Sequence, residues 1–103
     1  MLNLDKFIEL KKQREHNKKK CYKTILKQIN TNIDLTMSQS INFIIFEIPP
    51  FIIGEADYNT LECIDYIINK IKNDKEFKKI LEEIKFYEPN VIYIKWNLNI
   101  ILG

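Results

Sequence analysis

The C-terminal segment alternates between apolar and polar side chains, and no other pattern in the chain constrains the fold as much. Ile92, Ile94, Trp96, Leu98, Ile100 and Leu102 fall on one side of an extended backbone, with Lys95, Asn97 and Asn99 on the other. A period of two specifies a strand with one buried face. A lone strand leaves its backbone groups unpaired and its apolar face wet. The rest of the 103 residues must therefore supply partner strands and an apolar cover. A chain of this length makes one domain, with a core large enough to fold without metal ions or disulfides.

The cover is visible at the other end. From Met1 to Asp34 the pattern is helical, with Leu4, Phe7, Ile8, Tyr22, Ile25, Leu26, Ile29 and Ile33 on one side. The stripe is interrupted, because Lys11, Glu15 and Lys18 occupy the same side between its two halves. Such a helix cannot lie on one continuous core. It breaks near His16-Asn17, or its first turns project and leave Leu4, Phe7 and Ile8 for another molecule to cover.

Between the ends, Thr36 to Ser40 reads as a loop. Ile41 to Ile48 (INFIIFEI) is an almost unbroken apolar run, expected as a central strand buried on both faces and ended by Pro49-Pro50. Gly54 is expected at a positive φ or a close approach. Asn59 and Glu62 have the spacing of a helix cap, followed by a stripe of Leu61, Ile64, Ile67, Ile68 and Ile71. Phe77, Ile80, Leu81 and Ile84 are spaced for a further short helix. Phe86-Tyr87, Pro89-Asn90 and Val91 onward then read as strand, turn, strand. The expected fold is α+β, with a long N-terminal basic helix, then β-α-α-β-β in which helices cover one face of a small three-stranded sheet. Residues 1–34 form the helix, part of the same domain with its tip free to protrude, and residues 41–103 form the α+β core.

Charge is distributed unevenly. Lys11, Lys12, Arg14, Lys18, Lys19, Lys20, Lys23 and Lys27 are opposed locally only by Glu15, a net +7 in a chain whose total is +2. The remainder therefore carries −5. A basic segment of this kind suits phosphate contact, which makes these eight residues the candidate nucleic-acid site. Three features favour a solvated face instead. The cations spread around the helix, Arg occurs once, and a chain with 20 Ile, 15 Lys and 11 Asn reflects A/T-rich codons.

Little else suggests chemistry. His16 is the only histidine and lies among cations. Cys21 and Cys63 read as reduced structural thiols, although the lysines near Cys21 favour a lowered pKa. Glu55 and Asp57 are too few for a calcium or magnesium site. With Gly54 the only internal glycine, no phosphate-cradling loop is available, and Ser38 and Ser40 lack the glycines of a nucleophile elbow. No enzyme activity, cofactor, metal or small-molecule substrate is expected. Tyr87, Tyr93 and Trp96 are able to stack on bases. Trp96 shares the apolar face and reads as core, whereas Tyr93 lies opposite and joins Leu4, Phe7 and Ile8 as a candidate protein contact. The start MLNLDKFIEL has no apolar leader core and no run is long enough to span a bilayer, so a location inside a cell, or packaging from one, is expected.

Phe46-Glu47-Ile48-Pro49-Pro50-Phe51, Gly54, Tyr58, Cys63-Ile64-Asp65-Tyr66-Ile67 and the run Tyr87 to Trp96 together give the chain its resemblance. It resembles a family of small proteins, without an assigned activity, from nucleocytoplasmic large DNA viruses. The resemblance spans residues 5 to 97, with an extra stretch at Asp74 to Glu83 and an added tail from Leu98 to Gly103. It implies a viral structural or assembly protein that works through a protein partner or as a homo-oligomer. A nucleic-acid-binding accessory role is the alternative.

Overall fold

The computed structural model describes residues 3–99. The chain runs as α1 (Leu4–Ser38), β1 (Phe43–Glu47), α2 (Thr60–Lys72), a 3-10 turn (Phe77–Lys79), β2 (Leu81–Tyr87) and β3 (Val91–Trp96). This is the expected α+β plan in the expected order. The sheet is antiparallel in the order β1-β3-β2, and α1 and α2 pack on one of its faces.

Helix α1 is continuous, 35 residues and about 52 Å at 1.5 Å per residue. The sequence left open a break at His16-Asn17 or a projecting tip, and the structure takes the second course. Asn3 caps the helix by accepting from the amide of Lys6 at 3.1 Å. The helix also outruns its expected end at Asp34. The helix runs on through what reads as a loop, and there Thr36 and Ser38 donate their hydroxyls to the carbonyls of Asn32 and Leu35, both at 2.6 Å.

The C-terminal alternation places β3 in the middle of the sheet. Ile92, Ile94 and Trp96 are buried against the helices while Val91, Tyr93 and Lys95 face the other way. The strand is shorter than expected. At Asn97 the side chain accepts from the amide of Asn99 at 2.9 Å and the chain turns off, leaving Leu98 half-buried against the core instead of in the ladder. The expected strand positions Ile100 and Leu102 lie outside the described residues.

Three expectations are corrected. First, β1 is an edge strand and not the centre. Its Ile44 and Ile48 are buried, but Phe43 and Ile45 are 42% and 65% exposed on the uncovered face. Second, Leu81 and Ile84 belong to β2. Leu81 opposes Trp96 and Glu83 opposes Lys95, so the extra residue Glu82 forms a β-bulge. The bulge puts Leu81 and Ile84 three residues apart on one side, which mimics a helical spacing. Third, Leu61 is exposed, and Cys63 takes its place beside Ile64, Ile67 and Ile71 in the buried stripe of α2.

The core joins Tyr22, Ile25, Ile29 and Ile33 of α1 to Ile64, Ile67 and Ile71 of α2 over Ile92, Ile94 and Trp96. Trp96 is fully buried and meets Phe77 edge to face, ring centroids 6.1 Å apart, and its Nε1 has no hydrogen-bond partner among the described residues. Gly54 has φ +85°, the left-handed turn expected of it, where any side chain would be strained. Asn90, in the β2–β3 turn, pins β1. The amide of Ile48 donates to the Asn90 carbonyl and Asn90 Nδ2 donates to the Ile48 carbonyl, both at 2.7 Å.

Candidate functional site

The buried face of α1 begins at Tyr22, and every residue from Asn3 to Asn17 is exposed. About 21 Å of helix therefore extends past the core. Its exit is clamped by the start of α2. The Tyr22 ring lies against Tyr58 and Tyr66, with centroids 5.8 and 5.7 Å away, and its hydroxyl is 3.4 Å from both the amide and the carbonyl of Asn59. Asn59 caps α2 by accepting from the amide of Glu62 at 3.0 Å. The Glu62 carboxylate reaches back to α1 and takes Lys18 Nζ at 2.9 Å, while Glu15 holds the same ammonium at 3.2 Å. The hydrogen bond that Lys18 donates to Glu62 leads the causes that raise the Lys18 pKa well above its ordinary value. Arg14 lies 3.8 Å from Asp57.

Beyond this clamp the tip shows Leu4, Phe7, Ile8 and Leu10 at 62, 59, 49 and 47% exposure. Leu10 adds to the three residues named from the sequence. Its position off the main stripe is why pattern alone missed it.

The eight cations divide by role. Lys18 and Arg14 are engaged by acids, and Lys11 lies on the side of the helix that carries Phe7 and Lys18. The other five, Lys12, Lys19, Lys20, Lys23 and Lys27, are exposed. At about 100° per residue they fall, with His16, within an arc of about 100° turned from the buried face. Between Glu9 and Asp34 the one acid is Glu15, which is on another side and already paired with Lys18. The eight do spread around the helix, yet the five unpaired by any acid on this outer side share one stripe.

Tyr93, the fourth candidate contact, is not on the tip. It is half-buried on the uncovered sheet face, its ring 6.1 Å from Phe43. By register that face carries Phe43, Ile45 and Glu47 of β1, Val91, Tyr93 and Lys95 of β3, and Glu83, Lys85 and Tyr87 of β2. Its charges are largely paired, with Lys85 against Glu83 at 2.6 Å and Lys95 against Glu82 at 3.7 Å.

The thiols are not activated. Burial pushes Cys63 up to about 11, and at half-buried Cys21 burial and Glu55 outweigh Lys20 and raise the pKa instead of lowering it. Among the described residues, no group of three or more His, Cys, Asp or Glu side chains is gathered as a metal ion needs. No described helix is long and apolar enough to cross a membrane.

Fold and surface together define a small α+β protein that presents a cantilevered amphipathic helix, a basic stripe and an uncovered sheet face. The chain belongs to the family of unknown function DUF5759, whose family model matches residues 2–72, that is α1, β1 and α2. No curated protein and no solved structure matches it.

Proposed function

We propose that the protein is a non-catalytic interaction protein that assembles through the projecting end of α1. The observation that carries this reading is the exposure of Leu4, Phe7, Ile8 and Leu10 on a helix held away from the core by Lys18, Tyr22 and Glu62. Apolar side chains gathered at the end of an anchored helix gain stability when another surface covers them. The resemblance to proteins of large DNA viruses supports a virion or its assembly as the setting. The test is sedimentation velocity over a range of concentrations, at low salt and at about 0.5 M salt, where surface ion pairs are screened. Association that persists at high salt and is reduced by a step on deleting residues 1–10, or in Phe7→Asp/Ile8→Asp, is the expected result. A wild-type chain whose association is unchanged by both alterations overturns the reading.

The outer lysine stripe favours a second reading, contact with a nucleic-acid backbone. It supplies positive charge along about 22 Å of one helix face with no acid among it.

A further inference from the structure

The two edges of the sheet are built differently. Since the Trp96 amide donates to the Asn42 carbonyl and the Ile48 amide to the Asn90 carbonyl, the even-numbered residues of β1 make its ladder to β3. The backbone groups of Phe43, Ile45 and Glu47 therefore point outward at the edge, where the sheet has no further strand among the described residues. A free edge is commonly blunted by charge, proline, a bulge or a covering element. β2 carries such guards, with Glu82, Glu83 and Lys85 among its residues and a bulge at Glu82. β1 is Phe-Ile-Ile-Phe-Glu, has no bulge, and carries its single charge at its last residue.

The same strand concentrates exposed apolar surface. Phe43 and Ile45 flank the free edge at 42% and 65% exposure, and Ile41 just before them is 40% exposed. An antiparallel pairing of two β1 strands about a two-fold axis at Ile45 is self-complementary. Ile45 meets the partner's Ile45 and Phe43 meets the partner's Glu47, which keeps the two carboxylates apart. The outward amides and carbonyls of Phe43, Ile45 and Glu47 all find partners, and the two sheets join into one of six strands.

We propose that a second copy of this chain is the partner of the β1 edge, pairing antiparallel through Phe43, Ile45 and Glu47. This rests on the reading of the protein as an assembling one and adds an interface separate from the helix tip. The two-fold register is self-complementary, with Ile45 on Ile45 and each Glu47 on Phe43 and not on the other Glu47, which favours a second copy over an unrelated strand.

The experiment combines sedimentation equilibrium with residue-resolved amide exchange on wild type, Ile45→Lys, Ile45→Pro and Phe7→Asp/Ile8→Asp. Both Ile45 variants keep the intrachain ladder, because that side chain faces solvent and that amide faces outward. In wild type the amides of Phe43, Ile45 and Glu47 should be protected along with those of Ile44 and Phe46. In the Ile45 variants a two-fold association step is lost, and the amides of Phe43 and Glu47 exchange at least tenfold faster. The tip variant should leave them protected. Fast exchange at 43, 45 and 47 in associated wild-type protein, with 44 and 46 protected, overturns the β1 pairing. In that case loss of oligomers in the tip variant alone still upholds the helix-tip reading. Unchanged association in the tip variant, with loss in the Ile45 variants, does the reverse.

Discussion

Lys18 Nζ of α1 lies 2.9 Å from the Glu62 carboxylate of α2, at the point where α1 leaves the core. The Lys18 side chain is 13% exposed, and Glu15 holds its ammonium from one helical turn below. The Lys18–Glu62 pair ties α1 to the first turn of α2 where the tip leaves the core. A double-mutant cycle on Lys18→Met and Glu62→Gln should give a coupling of about 1 kcal/mol in urea unfolding, the upper end for a pair open to solvent on one side. The Lys18 pKa is raised, so its contribution is fully present below its ordinary value and disappears only as pH climbs through the raised one. The coupling should therefore be constant across neutral pH. A coupling indistinguishable from zero would mean that the pair contributes nothing to holding α1 against α2.

Alkaline pH should destabilise the fold from a defined onset. Burial raises Cys63 from 9.0 to about 11 and also raises Tyr22 and Tyr58, whose rings meet at the same clamp. For a group raised in the folded state, the unfolded chain ionises first. Stability is then complete below pH 9 and declines from there as pH rises through the folded value. Denaturant midpoints measured from pH 7 to 11 should be flat up to about pH 9 and fall beyond it. Cys63→Ala should start lower at pH 7 from lost packing, yet fall less steeply above pH 9. A midpoint that declines evenly from pH 7 would locate the titrating groups elsewhere.

Neighbouring isoleucines in β1 should respond in opposite ways to truncation. Ile44 is 8% exposed and opposes Ile94 beneath the helices, whereas Ile45 is 65% exposed on the open face. Ile44→Ala should cost about 2 to 4 kcal/mol, while Ile45→Ala should change intrinsic monomer stability by less than about 0.5 kcal/mol. Denaturant unfolding at low concentration separates the two. Similar large losses at both positions would restore the reading of β1 as a strand covered on both faces.

That contrast also shows where local pattern stops being informative. In β3, apolar Ile92, Ile94 and Trp96 alternate with other residue types, so the buried face is written in the sequence, and the Asn59 cap and the positive φ of Gly54 are local in the same way. The interrupted stripe at Lys11, Glu15 and Lys18 likewise announces a helix that leaves its core. In β1 the covered Ile44 and uncovered Ile45 are the same residue. Which one is buried depends on β3 lying between β1 and β2, a pairing made with a segment about fifty residues away. The bulge at Glu82 hid β2 by giving Leu81 and Ile84 a helical interval. At the surface, the basic character of α1 was legible, but the removal of Lys18 by Glu62 is again a long-range contact. Setting aside Lys18 and Arg14, which acids engage, and Lys11, which lies on the Phe7 side, leaves a single outer stripe.

The stripe makes a test that the full set of eight cations does not. Substituting Lys18 would weaken the clamp as well as the charge, so a loss of binding in such a variant says nothing about phosphate contact. Lys19, Lys20, Lys23 and Lys27 are exposed and take no part in the core, so their replacement by Ala should leave unfolding midpoints nearly unchanged. If the outer face contacts a nucleic-acid backbone, each phosphate neutralised contributes about −0.9 to the slope of log K against log salt. Five lysines acting together would then lose a few hundredfold, roughly 500-fold, in affinity for duplex DNA between about 50 and 200 mM salt. Fluorescence anisotropy with a labelled duplex should show that steep dependence in wild type. In Lys19→Ala/Lys20→Ala/Lys23→Ala/Lys27→Ala the slope should fall by about 3 to 4 units at unchanged stability. Arg14→Ala, which removes a charge already turned toward Asp57, should move the slope far less. Equal losses per charge removed in Arg14→Ala and in the four-lysine variant would show that net charge, and not the outer stripe, governs binding.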